Sequence, residues 1–263
     1  VIDDLLRPLR EDPAAAAILC DVDGTLSPIG LDPTASTVPE DTREVLRALA
    51  GAYGLVACIT GRRALEARRI VGVEEIAYAG NHGFETLEPG AGEPTHDPAV
   101  AGRSERPKLF VGSLDQDRLA SAGLRVEDKG AIQALHWRGA ATDGAAEMQA
   151  KEVATLAQAA GLVPRWGRKV LEIRPVAGID KGSAAMRMVR EAGSRTAMFG
   201  GDDVTDLDAF QALRWMASSD RLRTAVCVGV ASDEQPAGLE ERSDFVVDGT
   251  DAFRRVLEGL LEP

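Results

Sequence analysis

Residues 20–29 read CDVDGTLSPI, and the question they pose is why Asp21 and Asp23 stand where an apolar run leaves a core. The preceding AAAAILC (14–20) predicts a buried strand ending at Cys20. Positions i and i+2 of an ideal strand share a face, and Gly24 then turns the chain. One carboxylate of such a pair can attack an electrophile while the other handles a proton, and both can hold a divalent cation. A capped Asp-Gly turn is the competing reading.

The same arrangement recurs along the chain. LVACIT (55–60) predicts a second buried strand, running into GRR and a helix. EIAYA (75–79) predicts a third, running into GNHG, and RTAMF (195–199) another, running into GGDD. AVCVGV (225–230) and DFVV (244–247) add short strands. EDTREVLRALA (40–50), DKGSAAMRMVREAG (180–193), DLDAFQALRWMA (206–217) and DAFRRVLEGLLE (251–262) read as helices. Short apolar strands alternating with helices predict an α/β fold with a largely parallel sheet covered on both faces. Polar and glycine residues recur just past the strand ends, where open α/β sheets place their sites.

The middle of the chain behaves differently. After a loop-like EPGAGEPTHDP (88–98) come LRVEDKGAIQALHW (124–137), an Ala-rich helix at 144–160, and GRKVLEIRP (167–175). Read as two strands, the flanking segments put Arg125, Glu127 and Lys129 on one face, and likewise Arg168, Glu172 and Arg174. A small α/β lid at 104–176, inserted into a core of 1–103 and 177–263, is therefore expected. No internal repeat or low-complexity tail is present.

Composition narrows the function. Of 263 residues, 44% are apolar and 27% charged, and the formal charge is −12, which disfavours broad binding to nucleic acid or anionic membrane. An anionic substrate would need local help from a metal or from lysines. With no apolar stretch of ~18 residues and no basic-then-apolar leader, neither a membrane span nor a secretion signal is expected. Cys20, Cys58 and Cys227 sit in apolar runs and read as buried structural thiols of a reducing compartment. No dinucleotide fingerprint or P-loop occurs, and His82, His96 and His136 have no zinc spacing.

FGGDDVTDLDAF (199–210) strengthens the catalytic reading, because Asp202, Asp203, Asp206 and Asp208 follow directly on a strand. Two strand ends each supplying an aspartate would build a Mg²⁺ site of hard oxygen donors. Helix capping accounts for one of these acids, not readily for all. Thr60 ends the second strand, where a hydroxyl and nearby N–H groups suit phosphate oxygens; it can equally be a cap. Lys181 opens a helix against the dipole preference, an inconsistency that a phosphate or the nucleophile's carboxylate would offset; the alternative is a lysine reaching solvent. His82, in its glycine-flanked turn, reads as a hydrogen-bond donor to a sugar or phosphate, or as a structural histidine.

Taken in order, DVDGT (21–25), Thr60 in TGR, Lys181 in DKG and GDDVTD (201–206) resemble the four signatures of the haloacid-dehalogenase-like phosphatases. AGNHGFE (79–85), VEDKG (126–130), KVLEIRP (169–175) and GDDVTDLDAF further resemble the trehalose-6-phosphate phosphatase branch. The resemblance implies a Rossmann-type parallel-sheet core with a mobile inserted α/β cap, and a Mg²⁺-dependent phosphomonoesterase of the cytoplasm, working as a monomer on a small sugar phosphate. It implies Asp21 as nucleophile, Asp23 as general acid then base, and Thr60, with Gly61 and Arg62 of its loop, and Lys181 around the phosphoryl group. Mg²⁺ would be held by Asp21, the Asp23 carbonyl and Asp202, with Asp203 or Asp206 ligating or orienting its waters. Asn81 and His82 from the core, and Glu127, Lys129, Arg168 or Lys169, and Glu172 from the cap, would face the sugar. Two departures stand out: Leu207 where the branch commonly has Glu, and Ile179 where it often has Trp. A phosphatase for a trehalose-like pseudo-disaccharide phosphate or another sugar phosphate, a phosphomutase and a non-catalytic sugar-phosphate-binding protein are the alternatives.

Overall fold

The computed structural model describes residues 2–30, 36–100, 102–167, 169–232 and 235–262. Contacts divide the chain into two units, one running to Thr95 and resuming at Ile179, the other spanning His96–Gly178.

The first unit opens with α1 (Ile2–Arg10), β1 (Ala16–Cys20), α2 (Glu40–Ala52), β2 (Leu55–Ile59), α3 (Ala64–Val71), β3 (Ala77–Gly80), β4 (Glu85–Leu87) and the two-residue β5 (Thr95–His96) at the border. The second contains α4 (Glu105–Gly112), α5 (Gln116–Ser121), β6 (Arg125–Asp128), β7 (Gln133–His136), α6 (Asp143–Ala159), β8 (Val163–Gly167) and β9 (Val170–Arg174). The first unit then resumes with α7 (Lys181–Glu191), β10 (Thr196–Gly201), α8 (Asp206–Ser218), β11 (Thr224–Ala231), α9 (Leu239–Arg242), β12 (Phe245–Asp248) and α10 (Gly249–Gly259).

The larger sheet has the order β12-β11-β10-β1-β2-β3-β4-β5. Its pairings from β12 across to β3 are parallel, and β4 runs antiparallel to β3. Burial on both faces explains why its strands read as continuous apolar runs. Ala16, Ile18 and Cys20 of β1 enter one core cluster with Leu9 of α1, Leu46 of α2 and Phe253 of α10, while Ala17 and Leu19 enter a second with Val189 of α7 and Phe210 of α8. The period of two thus divides each strand between the helix layers.

Strand β1 lies between β10 and β2, so the chain leaves it in one direction and returns on the other side. Such a reversal opens a crevice at the carboxyl ends of the strands. Asp21, Thr60, Asn81 and Asp202 are the residues that follow β1, β2, β3 and β10 or, for Asp202, immediately succeed Gly201 at the end of its strand.

The second unit has an antiparallel sheet of order β6-β7-β9-β8. Leu135 and Leu171 of this sheet pack with Ala146, Ala150, Val153 and Ala157 of α6. The expected strand over 124–137 is in fact a hairpin: Lys129 N–H closes it onto Ile132 O at 3.0 Å, and Asp128 accepts from Gly130 N–H at 2.8 Å. The strand expected from 167 begins at Val170 and is preceded by β8, whose Pro164 and weak alternation conceal it. An edge strand tolerates such a proline. At the other sheet's edge, the exposed β5 lies inside the expected loop 88–98, its solvated side chains leaving no apolar signal.

Candidate active site

Asp21 continues the β1 ladder by donating its N–H to Gly200 O at 2.9 Å, which fixes its backbone against β10. Its carboxylate meets Lys181, whose Nζ donates to Asp21 Oδ1 and to Asp206 Oδ1, both at 2.7 Å. Asp206 Oδ2 accepts the backbone N–H groups of Asp202 at 3.0 Å and Asp203 at 2.9 Å. Asp206 therefore ties the 202–203 turn to Lys181. Thr25 Oγ1 completes the frame by donating to Asp202 Oδ1 at 3.1 Å.

Lys181 is placed by a capping box at the start of α7: Asp180 accepts from Ser183 N–H, and Ser183 Oγ accepts from Asp180 N–H. Its position against the helix dipole is offset by the two carboxylates it bridges. Burial works to lower the Lys181 pKa, but Asp206 and Asp21 outweigh it, so the ammonium is held above its usual range. Burial pushes the Asp21 carboxyl well up; Lys181 opposes this, while Asp206 and Asp202 add to it. Asp206 is also raised by burial, against the pull of Lys181.

Asp21, Asp202 and Asp206 offer carboxylate oxygens that lie within 4.8 Å of one another, all buried. Fully ionised, three carboxylates would face a single ammonium, and a divalent cation would neutralise the excess. The donors are all hard oxygen, as Mg²⁺ prefers. The residues present fit such an ion. Asp203 is not one of the three; one of its carboxylate oxygens accepts Val204 N–H at 2.6 Å.

Gly24 shows how closely this frame is packed. Its φ is +87°, and a Cβ there would lie 2.1 Å from Asp202 Oδ2. Gly24→Ala is expected to lower the thermal midpoint by several degrees and to cut activity severely, since both the left-handed backbone and the contact resist a side chain. A melting curve and an activity assay check it.

Asp23 is gripped at both oxygens by Arg62, with Nε to Oδ2 at 2.6 Å and Nη2 to Oδ1 at 2.8 Å. Arg62 Nη1 also donates to Glu66. Burial opposes the charge on Arg62, but the carboxylates of Asp23 and Glu66 together outweigh it and hold the guanidinium above its ordinary range. Arg62 is thus seated on the neighbouring carboxylate.

Thr60 is buried, and its Oγ1 accepts the N–H of Arg62 at 3.2 Å. The loop after β3 lies alongside: Asn81 N–H donates to Arg62 O at 2.7 Å, and His82 N–H to Thr60 O at 2.8 Å. Asn81 and His82 have φ of 51° and 59°, a left-handed pair in which Asn and His are comparatively well tolerated. A Cβ on Gly61 would stand 2.9 Å from His82 Nε2, so the missing side chain leaves room for the imidazole. Buried Glu85 accepts Ala64 N–H at 2.6 Å and so fixes the start of α3. Asp21, Asp23, Thr60, Gly61, Arg62, Asn81, His82, Lys181, Asp202, Asp203 and Asp206 all belong to this strand-end region.

In the second unit, Lys129 Nζ lies 3.2 Å from Glu172 Oε1. Glu127 Oε2 is 2.7 Å from His136 Nε2, a hydrogen bond that holds the Glu127 carboxyl below its usual range. Lys169 separates from this set: it occupies the β8–β9 turn with φ of 54°, and its Nζ pairs with Asp143 at 2.7 Å at the start of α6. Arg168 lies outside the described residues. Thr25, Glu85, His136 and Arg174 were not among the expected site residues, although Thr25 and Glu85 stand inside the motifs DVDGT and AGNHGFE.

The trehalose-phosphatase family model matches residues 19–240, a span that includes each of these motifs. The chain belongs to the trehalose-phosphatase family. It is 37% identical over 204 residues to the trehalose-phosphate phosphatase of Mycobacterium marinum, covering 75% of this chain and 51% of that protein. It is also 37% identical over 209 residues to an uncharacterized glycosyl hydrolase of Mycobacterium tuberculosis, covering 76% of this chain and 15% of that protein. The chain thus spans about half the length of the first relative, or less for the second. The solved C-terminal domain of Candida albicans trehalose-6-phosphate phosphatase aligns with a TM-score of 0.77 at 23% identity, covering 99% of this chain and 95% of that one, and shows the shared fold. The family's superfamily, the haloacid-dehalogenase-like proteins, accounts for the Rossmann-type core and the separate small sheet. All three cysteines are buried free thiols, and no helix among the described residues is long and apolar enough to cross a membrane.

Proposed function

We propose that the chain hydrolyses the phosphate monoester of trehalose 6-phosphate, releasing trehalose and phosphate through an aspartyl-phosphate on Asp21. The observation that carries this reading is the strand-end frame of Asp21, Lys181, Asp206 and Asp202 in a chain of the trehalose-phosphatase family. Mg²⁺, held by Asp21 and Asp202 with the Asp23 carbonyl and the Asp206 side, would when bound offset the negative charge of phosphate and nucleophile.

An Asp21 oxygen attacks phosphorus as the bond to the sugar oxygen breaks. Asp23 gives a proton to that departing oxygen, then takes one from the water that attacks the aspartyl-phosphate, restoring Asp21 and releasing phosphate. The two-point contact with Arg62 orients the Asp23 carboxyl. Lys181 stays charged between its carboxylates and limits repulsion between Asp21 and the incoming dianion. Thr60 and the Gly61 N–H region receive phosphate oxygens, and Asn81 and His82 extend the surface toward the sugar. Glu127, Lys129 and Glu172, on one face of the smaller sheet, read the sugar hydroxyls.

The departure at Leu207 does not argue for another substrate, because that side chain is buried in the core cluster with Phe210 and Leu213. Phosphate release with Mg²⁺ from trehalose 6-phosphate, glucose 6-phosphate, sucrose 6-phosphate and a validoxylamine-type phosphate tests the reading, with EDTA as control. The expected result is a preference of at least about tenfold in kcat/KM for trehalose 6-phosphate, abolished by EDTA. Preference for the pseudo-disaccharide phosphate would reassign the substrate. Isomerised sugar phosphate in place of free phosphate would point to a mutase, and silence on all four to a phosphatase for another sugar phosphate or to a binding protein.

A further inference from the structure

The smaller sheet holds more buried charge than the sugar-reading proposal uses. Strand register places Glu127, Ala134, Glu172 and Arg165 in one row across β6, β7, β9 and β8. Arg174 lies two residues beyond Glu172 on the same face of β9, while Leu171 and Ile173 enter the apolar cluster behind it. The Glu172 carboxylate is held from both ends: Oε1 accepts from Lys129 Nζ at 3.2 Å, and Oε2 accepts from Arg174 Nε at 3.0 Å and Nη2 at 2.5 Å. The side chains of Lys129, Glu172 and Arg174 are 11%, 8% and 5% exposed.

Stability alone explains this triad poorly. Burying ion pairs costs desolvation that attraction often fails to exceed, and apolar replacements are frequently as stable. What the arrangement does supply is direction. A glutamate held at one oxygen can still swing about its side-chain torsions, whereas one held at both oxygens presents its remaining lone pairs along fixed lines.

We propose that Arg174 is a positioning residue for sugar recognition, fixing the carboxylate of Glu172 from the side opposite Lys129 without itself touching the sugar. This rests on the reading of Glu172 as a sugar contact. Two side chains that act through one carboxylate should be non-additive, and a double-mutant cycle measures that.

The readout is the ratio of kcat/KM on trehalose 6-phosphate to kcat/KM on p-nitrophenyl phosphate, measured on the whole chain with Mg²⁺. Glu172→Ala and Arg174→Met should each lower the ratio about tenfold, and the double variant should fall no more than about threefold below Glu172→Ala alone. Arg174→Lys, which keeps the charge and loses the two-point grip, should lie between wild type and Arg174→Met. If Arg174→Met does not fold, Arg174→Lys carries the cycle: its ratio falls in the wild-type background and does not fall further in the Glu172→Ala background. An unchanged ratio in the arginine variants beside an impaired Glu172→Ala overturns this inference alone, as do multiplicative losses. Equal losses on both substrates in the arginine variants reduce Arg174 to a structural role and also overturn it. Undiminished selectivity in Glu172→Ala overturns the reading of Glu172 and this inference with it, and an inactive wild type overturns the proposed function beneath both.

Discussion

Asp21→Asn is expected to lower kcat by at least about 10³-fold while leaving the chain folded, because it removes the attacking oxygen anion and little else. The amide is nearly isosteric, and the β1–β10 hydrogen bond from its backbone to Gly200 remains. Stability should be unchanged or higher. The Asp21 carboxyl is raised chiefly by burial, with Asp206 and Asp202 adding repulsion against the pull of Lys181. A group whose folded pKa lies above its unfolded one favours folding at low pH and weakens it as pH rises through that folded value. At neutral pH without added metal, the uncharged amide removes this penalty. Steady-state assays and a melting curve in EDTA check both halves; substantial activity in the variant would reject Asp21 as nucleophile.

Lys181→Met should behave in the opposite way, losing stability as well as activity. The ammonium sits 2.7 Å from both Asp21 and Asp206, with a side chain 3% exposed. Removing it leaves two carboxylates buried without their counter-ion, a change that typically costs about 3–5 kcal/mol. For a chain of this size that is a fall of about 10 °C in thermal midpoint. Because Asp206 also holds the N–H groups of Asp202 and Asp203, the loss should propagate into the turn that carries Asp202. Adding Asp21→Asn to Lys181→Met should recover part of the midpoint and none of the activity, since it removes one unpaired charge and the nucleophile together. A Lys181→Met protein as stable as wild type in EDTA would show that the lysine does not balance these charges.

How much of this could be read from residues alone depended on the range of the contact. The central strands were legible because both faces of each are buried, so AAILC and LVACI carry their signal without neighbours. The strand-end acids were legible because each follows its strand directly. What stayed hidden required partners far along the chain. Thr25 and Asp202 are hydrogen-bonded across 177 positions, and Arg62 reaches Asp23 across 39. Nothing local shows that Arg62 grips the Asp23 carboxylate. Lys169 stands next to the polar-face positions in sequence, but the β8–β9 turn sends its side chain to Asp143. Strand β8 was missed because an edge strand with a proline and half-exposed side chains lacks the alternation that marks β1 or β9. Glu172 and Arg174 were both visible as same-face charges; that one grips the other is a matter of side-chain geometry.

The central claim is that turnover passes through a phosphoryl group carried by Asp21, and the direct measurement is peptide mass mapping after acid quench during turnover of trehalose 6-phosphate with Mg²⁺. Asp23→Asn should be included alongside wild type and given p-nitrophenyl phosphate, whose leaving group needs no proton, so that loss of Asp23 slows only the breakdown of the acyl phosphate and lets it accumulate. One added phosphoryl group is expected on the peptide containing residues 20–29, present in the Asp23→Asn enzyme and absent when Asp21→Asn is added. Turnover with the phosphoryl group on another residue, or an unmodified peptide in an Asp23→Asn enzyme that still consumes substrate in a burst, would contradict it.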